Sequence, residues 1–296
     1  MRNTFIEELV ALAEINDNIA LIVGDIGYSV VEKFSEKFPD RFLNAGVSEQ
    51  NMTSLAAGMA SEGFHVFTYS IANFPTFRCA EQIRNDIDYH NLPVTVVAVG
   101  GGLSYGSLGY SHHAVQDYAL IRCMPNMLIA SPGDPMEVRA CLRYLVENPQ
   151  PSYFRLGKTG EPIFHDKIPR ITPGKWVKIA PGNDTSILCT GATLELGMKL
   201  KSHSKAHLGS SVYSMPLWGM RFKSLQSFQV SKTETVVTIE DHLEDGGFGS
   251  WILEALSNDN TLRHKVFVKA LDPIICGQVA SQIVLNELGG LNQQAD

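Results

Sequence analysis

The sequence has no long apolar run: no stretch approaches the roughly 20 residues that a membrane-spanning helix needs, so no membrane contact is expected. It has no block of basic residues either. Lys and Arg number 24 against 31 Asp and Glu, a net charge of −7. That argues against nucleic acid or an anionic membrane as a partner. Cysteine is scarce and scattered, at Cys79, Cys123, Cys141, Cys189 and Cys276, with no Cys-x-x-Cys pair. An odd number at wide spacing points away from a disulfide framework or a metal site and toward reduced thiols in the cytoplasm. The Gly-x-Gly-x-x-Gly pattern of dinucleotide binding is absent, as are repeats and low-complexity tracts. The start, Met1-Arg2-Asn3-Thr4, opens an amphipathic helical pattern with Glu7, Glu8 and Glu14 rather than the apolar stretch of a signal peptide. The expected location is cytoplasmic.

What is there is an ordinary globular balance: 296 residues, 44% hydrophobic and 19% charged, enough for two domains. Short β-branched runs alternate with helical segments. Strands are expected at 19–23, 65–69, 94–99, 127–130 and 152–155, with helices at 49–62, 77–89, 117–123 and 134–146. Asp134 suits an N-cap with Pro135 in the first turn. The run Val94–Val99 is almost continuously apolar, as in a strand covered on both faces. Residues 157–174 hold Pro162, Pro169 and Pro173 and read as a linker. A smaller unit follows, with strands at 185–190, 211–214, 235–239 and 266–268 and a helix at 248–256. The tail 292–296 is expected to fray. The fold class is therefore α/β, with two domains, each a mainly parallel sheet flanked by helices. The boundaries fall at 1–160 and 175–296, with a linker at 161–174.

Four places hold residues that could carry chemistry. Gly46-Val47-Ser48-Glu49-Gln50 opens a helix, where a glutamate also simply answers the helix dipole. Asp25, in Gly24-Asp25-Ile26-Gly27-Tyr28-Ser29, follows a strand, which is where parallel sheets build sites and also where an aspartate caps a helix. His112 and His113 lie in a glycine-punctuated loop after Val94–Val99, as site residues or as exposed ones. Phe74 and Phe77, three apart, read most simply as core residues.

Their order is more specific than any one of them. Gly-Val-Ser-Glu-Gln at 46–50, the segment 70–85 ending Glu-Gln-Ile-Arg-Asn, Ser-His-His-Ala at 111–114 with Cys-Met-Pro-Asn-Met at 123–127, and Glu-Asp-His at 240–242 with Gly-Gly-Phe-Gly at 246–249 resemble transketolase in sequence and spacing. The resemblance is to the pyrimidine-binding and C-terminal domains, above all in the split form encoded by two genes.

The resemblance implies roles. Glu49 corresponds to the glutamate that bonds the aminopyrimidine of thiamine diphosphate, where a carboxyl group can hold the activating proton. Phe74 corresponds to the ring that stacks on the pyrimidine, and Phe77 to a second aromatic. Ile71 stands where a third phenylalanine is expected. Asp25, with Ile26, corresponds to a subunit junction near the cofactor, and His112 to a histidine near the reacting carbon. Arg2, Ser29 and Arg155 correspond to a clamp for the sugar phosphate. Gly100 replaces a phosphate-contacting histidine, and Leu108 a substrate-sensing aspartate, so the sugar is expected to be an unusual one: deoxy, branched or nucleotide-linked. The second unit carries no implied chemistry, and His242 reads as structural.

Thiamine enzymes hold the diphosphate and Mg²⁺ through a Gly-Asp-Gly motif. Gly24-Asp25-Ile26 and Gly133-Asp134-Pro135 both fail at the third position. The resemblance therefore implies an N-terminal transketolase subunit that supplies that half, doubled to an α2β2 heterotetramer. The expected reaction is transfer of a two-carbon ketol unit from a ketose (phosphate) donor to an aldose-type acceptor. The alternatives are a β-type subunit of a 2-oxo-acid dehydrogenase decarboxylating component, or a non-catalytic regulatory subunit.

Overall fold

Strands joined through helices must pair in parallel, because a parallel neighbour is reached only by a crossover of a dozen residues or more. The computed structural model describes residues 1–158 and 160–291; the tail 292–296 lies outside the described residues. The strands are β1 (Ile19–Val23), β2 (Phe42–Asn44), β3 (His65–Ile71), β4 (Val94–Val99), β5 (Leu128–Ala130), β6 (Ser152–Leu156), β7 (Val177–Ala180), β8 (Asn183–Cys189), β9 (Ser210–Ser214), β10 (Leu217–Trp218), β11 (Thr235–Leu243) and β12 (Val266–Leu271). They form a seven-stranded sheet, β10-β5-β6-β4-β3-β1-β2, and a five-stranded sheet, β12-β11-β8-β9-β7. Among the strand pairs of the described residues, only β10 on β5 and β7 on β9 are antiparallel. The fold is thus α/β with two mainly parallel sheets.

Alternation along β4 shows why its run is almost continuously apolar. Val94, Val96 and Ala98 join one core with Met52, Ala56 and Ala60 of the helix Glu49–Ser61. Val97 and Val99 face the other core, with Phe5, Ile6 and Leu9 of the helix Arg2–Ala13. Both faces of the sheet are covered. The helix Pro135–Glu147 begins as expected: the Asp134 carboxylate accepts from the Glu137 amide at 2.7 Å. None of the described helices is long and apolar enough to cross a membrane.

Three strands escape the sequence pattern: β2, β7 and β10. The two residues of β10 come from the second unit yet extend the first sheet. Residues 77–89 do not make one helix. They fold as short turns, Phe74–Phe77 and Ala80–Gln82, followed by a π-helical stretch, Ile83–Asp88. Within 161–174, the amides of Phe164 and His165 bond the Asp134 carboxylate, so this connector is pinned to a helix N-terminus.

The two units are clasped by a buried arginine. Arg155 on β6 donates from Nε to Asp117 at 2.7 Å and from Nη1 to Asp241 on β11 at 2.6 Å. Its remaining donors reach the Ala114 carbonyl and the Tyr118 hydroxyl, whose ring it also covers. Tyr153 donates to the same Asp117 oxygen at 2.6 Å. Next to it, His242 Nδ1 donates to the Leu243 carbonyl, and Nε2 accepts from the Ala119 amide. Both ring nitrogens are committed to the neutral tautomer, and burial lowers the imidazole pKa to about 4.

Two outcomes follow. Arg155→Leu leaves two buried carboxylates uncompensated and should cost about 3–5 kcal/mol in urea unfolding. A loss below about 1 kcal/mol would mean the clasp is incidental. For His242, the unfolded chain takes up a proton near pH 6.5 that the folded chain refuses until about 4. Its contribution to stability is therefore complete above 6.5 and falls as pH drops toward 4, by at most about 1.4 kcal/mol per pH unit. Burial raises Glu240 and Asp241, which titrate in the opposite sense. The readout is therefore the difference in slope between the wild type and His242→Gln, measured from pH 7 to 4.5; equal slopes would sink the assignment.

Candidate functional site

The strand order reverses at β1 and β3: β2 lies to one side and β4 to the other. Ligands of open parallel sheets bind at the carboxyl ends of strands beside such a switch. Glu49 starts the helix that follows β2, Phe74 the short helix after β3, and His112 ends the loop after β4. The topology brings these three to one place.

Glu49 is 3% exposed. Its Oε2 accepts from Arg78 at 3.0 Å, while Oε1 is buried with no hydrogen-bond partner among the described residues. The Arg78 guanidinium lies 4.0 Å from the Phe74 ring centroid, and the His112 ring meets Phe74 edge-on at 5.2 Å. Asn73 fixes this arrangement, donating to the carbonyls of His113 at 2.6 Å and Ser111 at 3.3 Å. From the other side, the buried His113 ring bonds the Gly106 carbonyl. Burial first, and then the charges of His113 and Arg78, hold His112 below its usual pKa. That favours the neutral ring at neutral pH, the form that accepts a proton. Its Nδ1 is paired with Ser111 Oγ at 3.0 Å.

Arg78 was not foreseen. The signal was its place one helical turn after Phe74, where an i,i+4 pair meets. Tyr105 was also missed; its ring stands edge-on to His112 at 6.4 Å.

The loop after β1 borders this cluster, since a Cβ on Gly24 would lie 3.6 Å from Glu49 Cγ. Asp25 and Ser29 both have positive φ, 55° and 60°. Such backbone strain, twice in five residues, collects where a loop is shaped for binding. Asp25 is exposed and bonds Asn44; Ile26 is half-buried beside it. Ser29 is exposed, its amide donating to Glu32. Ile71 ends β3, half-buried. Phe77 is 48% exposed, so it is no core residue, and Leu108 is 54% exposed on the loop before His112. Arg2 is half-buried and near the Tyr69 hydroxyl, its Nε buried without a partner. Arg155 is a correction. It is 3% exposed and bonded to Asp117 and Asp241, so it serves the clasp between the units and is not free to hold a substrate phosphate. Among the described residues, no group of three or more His, Cys, Asp or Glu side chains is arranged to hold a metal ion.

Both units of the chain match known protein domains. Residues 1–160 match the transketolase pyrimidine-binding domain, and residues 174–293 match the transketolase C-terminal domain. The chain is 29% identical to a subunit of the apulose-4-phosphate transketolase of Phocaeicola vulgatus, over 87% of this chain and 84% of that one. It is 30% identical to the 1-deoxy-D-xylulose-5-phosphate synthase of Aquifex aeolicus, over 99% of this chain but 46% of that protein. Among solved structures, a split-gene transketolase described as an inactive β4 tetramer superposes with a TM-score of 0.84 at 30% identity, covering 98% of this chain and 93% of the other. By both of its domains, the chain belongs to the transketolase family.

Proposed function

We propose that the chain is the C-terminal subunit of a split transketolase, moving a two-carbon ketol unit from a ketose or ketose phosphate to an aldose-type acceptor. The observation that carries this reading is the buried, unpartnered Oε1 of Glu49 beside Phe74 and His112. A carboxyl group out of water requires a hydrogen-bond partner, and the ring nitrogen of an aminopyrimidine would supply one, with a single proton shared between them. The residues present therefore fit thiamine diphosphate, which when bound provides the electron sink for carbon–carbon bond cleavage and formation.

In this reading Glu49 Oε1 bonds the pyrimidine ring and holds its proton, while Arg78 steadies the other oxygen. Phe74 offers a ring face for stacking. Ile71, Phe77, Asp25 and Ile26 shape the surrounding wall. Neutral His112 takes or gives a proton at a substrate hydroxyl or carbonyl oxygen, within reach of general acid–base catalysis. Ser29 and Arg2 remain as contacts for the far end of the sugar, with Leu108 as an apolar border there.

The diphosphate and Mg²⁺ are assigned to an N-terminal partner subunit, in an α2β2 assembly. Support comes from relatives named as one subunit of a transketolase and as a split-gene product. Residues 1–160 then form the cofactor half, 161–174 the connector, and 175–296 the packing domain. All five cysteines are unpaired, which suits a cytoplasmic setting. A synthase-type donor such as pyruvate is the second reading, favoured by the 30% identity to 1-deoxy-D-xylulose-5-phosphate synthase.

The test is Glu49→Gln in the complex reconstituted with its partner. Ketol transfer should fall by about 10²–10⁴-fold, the usual worth of a positioned acid–base group. Unchanged transfer would make this chain a scaffold. Turnover of pyruvate without any turnover of ketoses would instead favour the synthase or the 2-oxo-acid dehydrogenase reading.

A further inference from the structure

The two units border a cavity of about 620 Å³, a size typical of sites for small molecules. Leu196 and Leu200, one turn apart on the helix Leu194–His203, form an apolar wall with Ile283 of the helix Gln282–Leu288. Lys158, just past β6, and Glu161 of the connector line the opposite chain segment. Glu49, Phe74, Arg78 and His112 do not line it.

Two polar side chains distinguish this cavity from a gap in packing. Ser204 is 3% exposed and Asn286 8%, and both line it. Ser204 Oγ and Asn286 Oδ1 are buried with no hydrogen-bond partner among the described residues. Buried polar groups are costly to leave unpaired, and nearly all find a partner. Two on one cavity point to a ligand that supplies the missing bonds. The rest of the lining narrows its chemistry. Among the described residues no phenylalanine, tyrosine or tryptophan lines the cavity, so a nucleobase would find no stacking face there. The lining carboxylates are engaged: Asp241 by Arg155, Glu161 by the Met1 amino group at 2.7 Å, and Glu195 by Lys199 at 2.6 Å. Among the described residues, that leaves the Lys158 ammonium without a carboxylate partner. The cavity therefore asks for a hydrogen-bond donor, one carboxylate and an aliphatic body.

We propose that this cavity binds an aliphatic amino-acid unit with a free carboxylate, either a free amino acid or the C-terminal residue of a short peptide. Its N–H group donates to Asn286 Oδ1. Its carboxylate accepts from the Ser204 hydroxyl and meets the Lys158 ammonium. Its side chain lies on Leu196 and Leu200. Ser104 also lines the cavity, and its hydroxyl donates to the Gly101 carbonyl at 2.8 Å, so the ligand touches the loop that runs on to His112. A ligand held by both units stabilises their folded arrangement by mass action. The site does not depend on the reaction proposed above.

The test is calorimetric titration of the full chain with leucine, glycyl-leucine, leucinamide, isocaproate and inorganic phosphate. Leucine or glycyl-leucine should bind with a Kd of about 1 mM or tighter. Preference for leucine identifies a free amino acid; preference for glycyl-leucine identifies a peptide end. Leucinamide lacks the carboxylate and isocaproate the amino group. Each should bind about 10-fold more weakly, the scale of one charge-assisted hydrogen bond. Asn286→Leu and Ser204→Ala should each weaken the preferred ligand by about 10-fold on the same grounds. Asn286→Leu removes an unpaired buried acceptor, so the Tm of the ligand-free chain should hold or rise, whereas a merely structural asparagine would lower it. Should Asn286→Leu fail to fold, Ser204→Ala and the ligand series on the wild-type chain decide. The site is overturned if neither leucine nor glycyl-leucine binds, or if phosphate binds more tightly than both. It is also overturned if leucinamide and isocaproate bind as well as leucine does, or if the folded variants bind as the wild type does.

Discussion

Everything near the site depends on one buried cation. Arg155 sits between Asp117 of the first unit and Asp241 of the second, and its Nη2 also donates to the Ala114 carbonyl. Ala114 in turn pairs with Gly102, closing the loop that runs from the end of β4 through Tyr105, Leu108 and His112. A buried ion pair adds little net stability but is costly to break, so it fixes geometry more than it adds energy. The angle between the units, the closure of the loop and the position of His112 beside Phe74 all trace to this contact. The second unit therefore packs against this loop: Asp241 holds the arginine, and the segment around Ala280 packs against Gly106.

An arginine committed to two aspartates has no donor left for a phosphate, and position 100 is closed by Tyr105. Glu49, Phe74 and His112 come from three strand ends and converge, with Arg78 bridging the carboxylate and the ring. These side chains thus form one cluster at the strand ends, apart from the Arg155 clasp between the units.

Much of this was legible in the sequence, for identifiable reasons. Val94–Val99 announced a doubly covered strand because five of its six residues are apolar, and Asp134-Pro135 announced a helix start because cap and ring both act locally. The two-residue β10 carries no periodicity, and β7 is an antiparallel edge strand. The π-helical stretch at 83–88 keeps a helical pattern while changing its bonding. Glu49, Phe74 and His112 could be chosen by their order along the chain. Arg155 misleads because its partners lie 38 and 86 residues away, and a sequence shows the cation without its counter-ions. Arg78 and Tyr105 escape for a related reason: their meaning lies in the rings they meet, Phe74 and His112, which only the fold brings beside them.

The central claim is that this chain supplies one half of a cofactor site and a partner supplies the other. It is tested most directly by titrating thiamine diphosphate with Mg²⁺ into this chain, into its candidate N-terminal partner, and into the two mixed. The account predicts tight binding only for the mixture, with Phe74→Ala weakening it by about 10-fold or more, as loss of a stacking face does. Equally tight binding by this chain alone, or binding by the mixture that ignores Phe74, would contradict it.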